Sequence, residues 1–282
     1  MVNMNSIPTV SLLDGNSIPQ LGYGVFRIDP EDTERCVSEA LEAGYRHIDT
    51  ARIYGNEEGV GRAIAASGIP RDEIFVTTKL WTDDLGAGKA AAALDASLER
   101  LQLDAVDLYL IHWPVPDTDA YLESWTELMQ LRDAGRTRSI GVCNMNIEHL
   151  ERLIDAGETP VVNQVELHPL MSQPQLRQFC RDNDIAVEAW GPLAQGRAGL
   201  LEMPTVTDIA RAHGKTPAQV VLRWHLHLGN IVFPKTTSAE RMRENLDLFD
   251  FELNVDEMSA LANLDRGERV SGADPETFGI KQ

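Results

Sequence analysis

The sequence contains little cysteine. Among its 282 residues only three are cysteine, Cys36, Cys143 and Cys180. Their number is odd, and their spacing is not that of a metal site. A disulfide framework is therefore not expected, and a reduced cytosolic protein is the simplest interpretation.

Long hydrophobic runs are also absent from the sequence. No stretch approaches the roughly 18 uncharged apolar residues that a membrane-spanning helix requires. Residues 1–19 have no basic segment followed by an apolar one, so they do not predict a signal peptide. We therefore expect a soluble protein that is located in the cytoplasm.

Basic residues are scarce relative to acidic ones. The chain has 25 Lys and Arg against 44 Asp and Glu, which gives a formal net charge of −19. Such a surface repels phosphate backbones and anionic lipids, which argues against nucleic acid or a membrane as the partner. An anionic small molecule would need a local basic cluster to offset this field.

What the sequence does contain is a regular alternation of short apolar runs and longer segments of helical periodicity. Residues 9–19 are typical of a β-hairpin with Asp14-Gly15 at its turn. The helix candidates include residues 30–44, 86–101, 119–135 and 205–226, the last as two helices. The strand-like runs are residues 20–26, 46–51, 74–80, 106–113, 139–144, 161–167, 186–193 and 230–236.

This alternation predicts βα units and a parallel sheet. Eight such strands in one domain, residues 1–282, match a closed (β/α)8 barrel of the TIM type. The competing architecture is a doubly wound sheet that binds a dinucleotide through a glycine-rich turn. Residues 22–27, GYGVFR, lack the third glycine, and residues 59–64, GVGRAI, follow no strand. These glycines indicate turns or close helix packing, and the doubly wound interpretation is rejected.

Polar or aromatic residues stand near the ends of most of the strand-like runs. In a parallel barrel these ends meet at one mouth, where TIM barrels carry their chemistry. The residues are Asp49, Lys79, His112, Cys143, Asn144, Gln164, Trp190 and Lys235. Each one alone would be an ordinary strand-end residue, but closure of the barrel brings them together.

Three of these residues and Tyr54 suggest acid–base chemistry. Asp49 and Lys79 end neighbouring runs, so we expect them to pair. A free phenol has a pKa of about 10, and a cation held within about 4–6 Å lowers this pKa toward the range of efficient proton transfer. Tyr54 beside Lys79 would then be a tunable acid, and a neutral His112 imidazole could hydrogen-bond a substrate carbonyl oxygen.

Six motifs resemble the aldo-keto reductase family, and they cover nearly the whole chain. They are GYRHIDTARIYGNEEGVG (44–61), TTKLW (77–81), DLYLIHWP (107–114), IGVCN (140–144), NQVELHP (163–169) and FPKTTSAERMREN (233–245). The C-terminal DPETFG (274–279) resembles the bacterial 2,5-diketo-D-gluconic acid reductase branch. The resemblance implies a (β/α)8 barrel with a C-terminal loop over the mouth, which reduces aldehydes and ketones with NADPH as a monomer.

Residue by residue, the resemblance implies a catalytic tetrad of Asp49, Tyr54, Lys79 and His112. Tyr54 would protonate the carbonyl oxygen as hydride arrives at carbon, Lys79 would lower its pKa, and His112 would orient the carbonyl. The implied substrates are small aldehydes, ketones, α-dicarbonyls and keto-sugar acids such as 2,5-diketo-D-gluconate. The implied substrate pocket consists of Phe26, Trp81, His112, Trp113 and Phe278.

The resemblance also implies a set of cofactor contacts. Cys143 replaces the family's serine and so weakens one hydrogen bond, because a thiol is a poorer donor and acceptor. Trp190 replaces the usual tyrosine or phenylalanine that stacks on nicotinamide. The implied NADPH contacts are Cys143, Asn144, Gln164, Trp190, Gly191, Leu193, Gln195, Lys235, Thr236, Thr237, Arg241, Glu244 and Asn245.

Two other functions compete with a reductase. A regulatory or binding protein could keep the same barrel and cofactor with little turnover, although the complete tetrad favours the enzyme. A metal-dependent barrel isomerase or hydrolase would need clustered histidine and carboxylate ligands. The expected mouth offers only His112 and Asp49, and Asp49 is expected to pair with Lys79, so no metal site is predicted.

Overall fold

The first element in the described part of the chain is a β-hairpin. A computed structural model describes residues 7–279, and in it β1 (Thr9–Ser11) pairs antiparallel with β2 (Ser17–Pro19). The predicted turn is confirmed, since Gly15 adopts φ 84° in the loop, a conformation that glycine reaches without strain. The signal-peptide prediction concerns in part residues 1–6, which lie outside the described residues.

Eight parallel strands follow, and each one is hydrogen-bonded to the next in chain order. A parallel bridge between Leu21 and Val232 joins the two edges of this sheet, with hydrogen bonds of 2.9 and 3.0 Å. The predicted (β/α)8 barrel is confirmed. The strands are β3 (Tyr23–Gly24), β4 (His47–Asp49), β5 (Phe75–Leu80), β6 (Val106–Ile111), β7 (Thr137–Cys143), β8 (Val162–Glu166), β9 (Ala186–Trp190) and β10 (Ile231–Val232).

Helices surround the sheet, and their ends follow the local sequence. The predicted helix over 205–226 is divided at Gly214, which has φ 64°, and the second half begins with the capping box of Thr216. The helix predicted from residue 86 begins only at Ala90, because Gly86 and Gly88 hold positive φ. The helices are α1 (Pro30–Ala43), α2 (Glu57–Ala66), α3 (Ala90–Leu101), α4 (Ala120–Asp133), α5 (Ile147–Asp155), α6 (Pro174–Asp182), α7 (Pro204–His213), α8 (Pro217–His227), α9 (Ala239–Leu246) and α10 (Val255–Ala262).

Two glycines of α2 lie where helices approach each other closely. A Cβ added to Gly61 would lie 2.4 Å from the Leu101 carbonyl oxygen at the end of α3. One added to Gly59 would lie 2.8 Å from Cβ of Thr33 on α1. Because real Cβ atoms do not approach so closely, only glycine fits, and the predicted packing role of this glycine pair is confirmed.

The hairpin closes the N-terminal end of the barrel. Leu12 and Ile18 are buried in one hydrophobic cluster with barrel residues such as Leu108 and Ile231. The hydroxyl of Ser139 on β7 donates to Asp14 at 2.6 Å across this end. The C-terminal end of the barrel is thereby left as the mouth. Within residues 7–279, no helix has both the length and the apolar character that crossing a membrane would require.

Candidate active site

A buried ion pair lies at the base of the barrel mouth. Asp49 is the last residue of β4 and Lys79 is the penultimate residue of β5, the neighbouring strand. The Lys79 side chain is completely buried, and its Nζ lies 2.8 Å from both carboxylate oxygens of Asp49. It also donates to the Thr50 carbonyl oxygen at 2.8 Å. Because a buried ammonium is tolerated only when it is paired and hydrogen-bonded, these contacts fix the position of the cation.

The loop after β4 brings Tyr54 to the same cation. A single 3₁₀ turn, Arg52–Tyr54, ends at Gly55 with φ 69°, and α2 begins two residues later. The Tyr54 hydroxyl lies 3.4 Å from Lys79 Nζ. The structure therefore brings together Asp49, Tyr54 and Lys79 as the sequence predicted.

The electrostatics of this group differ in one respect from the prediction. Burial lowers the pKa of Lys79, but the Asp49 carboxylate, together with Tyr54 and Cys143, raises it by more in total, so Lys79 remains charged. Burial raises the pKa of Tyr54 to about 12, and the Lys79 cation opposes this increase without cancelling it. Lys79 lowers the pKa of Tyr54, as predicted, but the expected net decrease is wrong, because the pKa lies above its ordinary value. Desolvation of the enclosed hydroxyl outweighs the nearby positive charge.

His112 completes the polar base of the mouth. It follows β6 directly, and its backbone N–H donates to the Leu80 carbonyl oxygen at 3.0 Å, which continues the strand ladder. Its ring contacts the rings of Tyr54 and Trp81 edge-on, with centroids 5.9 and 5.1 Å apart. Burial, and after it the Lys79 cation, lowers the pKa of His112 well below its usual value, so the imidazole is neutral at neutral pH, as expected.

Three residues on the opposite side of the mouth form a connected hydrogen-bond group. Asn144 follows β7 with φ 59°, a left-handed conformation that asparagine tolerates better than most residues. Its side-chain amide donates to the His112 carbonyl oxygen at 2.9 Å and accepts the Trp190 indole N–H at 2.8 Å. A tyrosine or phenylalanine has no indole N–H, so this contact is specific to Trp190. The third residue, Gln164 on β8, contacts Asn144 through its carbonyl oxygen at 2.9 Å.

Cys143 is the last residue of β7 and is fully buried beside this group. Burial raises the pKa of its thiol well above the ordinary value, and the Lys79 cation only partly opposes the increase. The side chain therefore remains a thiol and carries no charge at neutral pH. It is a weak hydrogen-bond donor at the position where the resemblance implies serine.

The predicted basic cluster lies at the start of α9. Lys235 and Arg241 are exposed, and neither cation has an acidic partner within residues 7–279. Thr236 is buried and its carbonyl oxygen accepts the Tyr23 hydroxyl at 2.5 Å, which ties the segment to the barrel. Thr237 and Asn245 belong to the same segment. Glu244 is already engaged, because its carboxylate accepts the Thr216 hydroxyl at 2.7 Å.

The segment after β9 carries the remaining predicted cofactor residues. Gly191 has φ 61° and Gln195 has φ 54°, so the chain coils tightly into a short turn that includes Leu193. Arg197 follows and donates to the Val270 carbonyl oxygen. This contact connects the segment to the C-terminal part of the chain, on the rim of the mouth.

Aromatic side chains form the rim of the mouth. Phe278 stacks on Trp113 with ring centroids 4.0 Å apart and 17° between the planes, and it contacts Trp81 edge-on at 6.1 Å. Phe26 is 44% exposed, and its ring lies 5.0 Å from that of Tyr54. The C-terminal segment therefore reaches the mouth, and the four predicted pocket aromatics lie near the tetrad.

A protein-family model described as "Aldo/keto reductase family" matches residues 20–266. This chain belongs to the aldo/keto reductase family. It is an oxidoreductase that acts on carbonyl compounds. The family resemblance of the six motifs is thus confirmed, and so is the barrel that it implied.

Several relatives of this aldo/keto reductase have names that describe a reaction. Methylglyoxal reductase DkgA of Yersinia pestis is 52% identical over 277 residues, which cover 98% of this chain and 99% of the relative. The protein of the same name in Escherichia coli K12 is 50% identical over 274 residues, 96% of this chain and 98% of the relative. The chain spans nearly the whole length of each of these two relatives.

Solved structures show the same barrel. An aldo/keto reductase from Brucella melitensis has a TM-score of 0.89 and 55% identity, and covers 92% of this chain and 98% of its own. A mutant of Gox0644 in complex with NADPH has a TM-score of 0.93 and 45% identity, and covers 98% of this chain and 100% of its own.

Two buried glutamates of this aldo/keto reductase contact the candidate site and were not predicted from the sequence. Glu188 on β9 accepts from the Gln164 amide at 2.8 Å. Glu166 on β8 accepts the Val270 backbone N–H at 2.7 Å and the Ser271 hydroxyl at 2.5 Å, which anchors the C-terminal segment. The sequence did contain a signal for them, because residues two apart on a strand face the same side of the sheet. Glu188 lies two residues before Trp190, and Glu166 lies two residues after Gln164.

Proposed function

We propose that this aldo/keto reductase uses NADPH to reduce small aldehydes, ketones and α-dicarbonyls to alcohols, with Tyr54 as the general acid. The observation that carries the proposal is the position of Lys79, whose Nζ contacts both Asp49 and the Tyr54 hydroxyl at the base of the mouth. A phenol beside a fixed cation, next to a neutral histidine, is suited to give a proton to a carbonyl oxygen.

The residues of the mouth fit a nicotinamide carboxamide. Gln164 donates both N–H groups of its amide to carboxyl oxygens, so its own amide oxygen is left to accept. Asn144 keeps acceptor capacity on its amide oxygen, and Cys143 has a thiol that can donate weakly. The half-buried indole of Trp190 offers an aromatic face held in place by Asn144. When bound, NADPH supplies the hydride for the reaction.

The unpaired cations of the α9 segment fit a phosphate. In a protein of net charge −19, Lys235 and Arg241 are exposed without acidic partners in the described part of the chain. An arginine can bind a phosphate through two parallel hydrogen bonds. We assign these two residues to the 2′-phosphate that distinguishes NADPH from NADH, with Thr236, Thr237, Glu244 and Asn245 around the adenosine.

The raised pKa of Tyr54 is consistent with its proposed role. At a pKa of about 12 the hydroxyl keeps its proton at neutral pH and is a competent donor. The carbonyl oxygen becomes an alkoxide as hydride reaches the carbon, and this alkoxide is a stronger base than a phenolate. The proton passes from Tyr54 to that oxygen, and Lys79 then stabilises the phenolate that remains.

The substrate pocket favours small polar carbonyl compounds. Phe26, Trp81, Trp113 and Phe278 narrow the mouth, and His112 is placed to hydrogen-bond the carbonyl oxygen. The name methylglyoxal reductase, carried by relatives at 50 and 52% identity, supports an α-dicarbonyl. We include keto-sugar acids such as 2,5-diketo-D-gluconate among the candidates, and we propose that residues 1–282 act as one domain in a cytoplasmic monomer.

Oxidation of NADPH in the presence of methylglyoxal tests the proposal. We expect the absorbance of NADPH to fall, and kcat/KM to be higher with NADPH than with NADH, because only NADPH carries the 2′-phosphate that we assign to Lys235 and Arg241. Equal efficiency with the two cofactors would contradict the cofactor assignment. Tight NADPH binding without turnover of any carbonyl in a broad panel would instead support a cofactor-binding regulatory protein.

A further inference from the structure

A second carboxyl group lies inside the barrel, below the proposed cofactor contacts. Glu188 on β9 is paired in register with Gln164 on β8, and its side chain is completely buried. The Gln164 amide nitrogen lies 2.8 Å from Glu188 Oε2 and 2.9 Å from Asp49 Oδ2. One amide group therefore bridges two carboxyl groups, one of which belongs to the tetrad.

The surroundings of Glu188 make its ionised form energetically unfavourable, because Asp49 already carries one negative charge nearby. The charged or titratable groups that influence it are Asp49 on β4, Lys79 on β5 and Cys143 on β7. Lys79 already contacts Asp49, the Thr50 carbonyl and Tyr54, so it has no hydrogen left for Glu188. The Oε1 atom of Glu188 is buried without a hydrogen-bond partner within residues 7–279. A buried carboxylate with an unpartnered oxygen is strongly unfavourable.

We propose, on the basis of the function proposed above, that Glu188 is a positioning residue held as a neutral carboxyl group. In this form it accepts one N–H of Gln164, which orients the amide so that its oxygen is available to the nicotinamide carboxamide. It also leaves Asp49 as the single negative charge that faces Lys79. Glu188 touches neither substrate nor cofactor in this role and acts through Gln164.

The protonation of Glu188 makes this arrangement sensitive to pH. Burial, followed by the Asp49 carboxylate, raises the pKa of Glu188 to about 8. Above that pH the ionised group adds a negative charge beside Asp49 and Lys79, which offsets the positive charge that would stabilise the phenolate produced by proton transfer. Reduction should therefore slow as the pH rises through about 8, before Tyr54 itself ionises.

Glu188→Gln tests the proposal, because a glutamine can accept the same hydrogen bond and cannot ionise. We expect the decline of kcat/KM around pH 8 to disappear or to move to higher pH in this variant. Glu188→Ala, which removes the acceptor, should weaken NADPH binding more than Glu188→Gln does. Glu57→Gln is the matched control, since Glu57 is equally buried but bonded to Thr78 and Arg100 away from Gln164, and it should leave the decline in place.

An infrared titration separates this proposal from the proposed function. The C=O stretch of a protonated carboxyl group should be present in the wild-type protein at pH 7, vanish above about pH 8 and be absent from Glu188→Gln. That result together with an inactive wild type would refute the reductase mechanism but leave the neutral carboxyl group established. A pH profile of NADPH oxidation that is identical in wild type and Glu188→Gln, or no such infrared band, would overturn the proposal.

Discussion

The main effect of Asp49 is on the charge of Lys79. Burial alone would lower the pKa of the Lys79 ammonium, and the carboxylate at 2.8 Å is the foremost of the groups that together outweigh burial. The hydroxyl of Tyr54, the proposed acid, lies 3.4 Å from this cation, and in the proposed mechanism the cation stabilises the phenolate that Tyr54 becomes. The ion pair with Asp49 thus keeps Lys79 positively charged in a buried position where water does not solvate the ammonium.

Asp49→Asn should therefore shift the pH dependence of reduction more than it disturbs the fold. The isosteric amide keeps the volume but removes the charge, so burial is left to lower the pKa of Lys79. Since a neutral lysine no longer stabilises the phenolate, we expect kcat to decline at lower pH than in the wild type. The measurement is a pH–rate profile with a parallel thermal unfolding scan, and an unshifted profile would show that Asp49 does not control the Lys79 charge.

The sequence was sufficient to predict which four residues lie together at the base of the mouth, but not their electrostatic balance. Asp49, Lys79 and His112 lie at or just beyond strand ends, and the ends of parallel strands converge whatever their exact register. The pKa of Tyr54 depends on how completely its hydroxyl is enclosed, which no local pattern encodes. Glu188 was missed for a related reason, because a glutamate within an apolar run is noticeable only when the partner on the next strand is known.

At the level of elements, the fold followed from periodicity while the element boundaries did not. The runs predicted at 20–26 and 230–236 contribute only the short strands β3 and β10. The length of a strand depends on how far the neighbouring strand offers it hydrogen bonds. Where the first and last strands of this barrel meet, the pairing in the described residues is one bridge between Leu21 and Val232. Hydrophobicity indicates that a run is buried but does not reveal how far its partner extends.

The C-terminal segment is anchored to the barrel in part by one buried glutamate. Glu166 accepts from Val270 and Ser271, and the chain then continues to Phe278, which stacks on Trp113. The strand that carries the proposed cofactor contact Gln164 therefore also anchors the rim of the substrate pocket. The proposed substrate and cofactor regions thus share one strand as a support, which suits a reaction that needs both aligned.

Phe278→Ala should raise KM for carbonyl substrates while changing kcat little. The stacked ring lies on the rim and does not touch the tetrad hydroxyl or ammonium, so its contacts with substrate persist unchanged from the ground state to the transition state. Steady-state kinetics at saturating NADPH would measure the effect. Phe251→Ala is the control, because that ring packs on His213, and an equal rise in KM there would indicate a general loss of structure.

At the scale of the whole molecule, two buried histidines make the free energy of unfolding depend on pH. Burial lowers the pKa of His47 and of His225 to about 3 in the folded protein, and hydrogen bonds to the Pro19 and Pro192 carbonyls oppose this only in part. The unfolded chain binds protons from pH 6.5 downward, whereas the folded protein does not until about pH 3. Stability is therefore lost as the pH falls from 6.5 toward 3.

His225→Gln should make the free energy of unfolding less dependent on pH. Each such histidine costs about 2 kcal/mol of unfolding free energy between pH 7 and pH 5, given about 1.4 kcal/mol per pKa unit. Glutamine can still donate to the Pro192 carbonyl oxygen but does not titrate. Urea unfolding at the two pH values measures the difference, and parallel stability losses in the variant and the wild type would refute the role of His225.

Tyr54→Phe tests the proposed mechanism most directly. The substitution removes only the hydroxyl 3.4 Å from Lys79 and leaves the residues assigned to NADPH untouched. We predict that kcat for NADPH-dependent reduction of methylglyoxal falls by roughly 10²–10⁴-fold, while the Kd of NADPH, measured by quenching of tryptophan fluorescence, stays close to that of the wild type. Retention of most of the activity by Tyr54→Phe would contradict the assignment of Tyr54 as the acid.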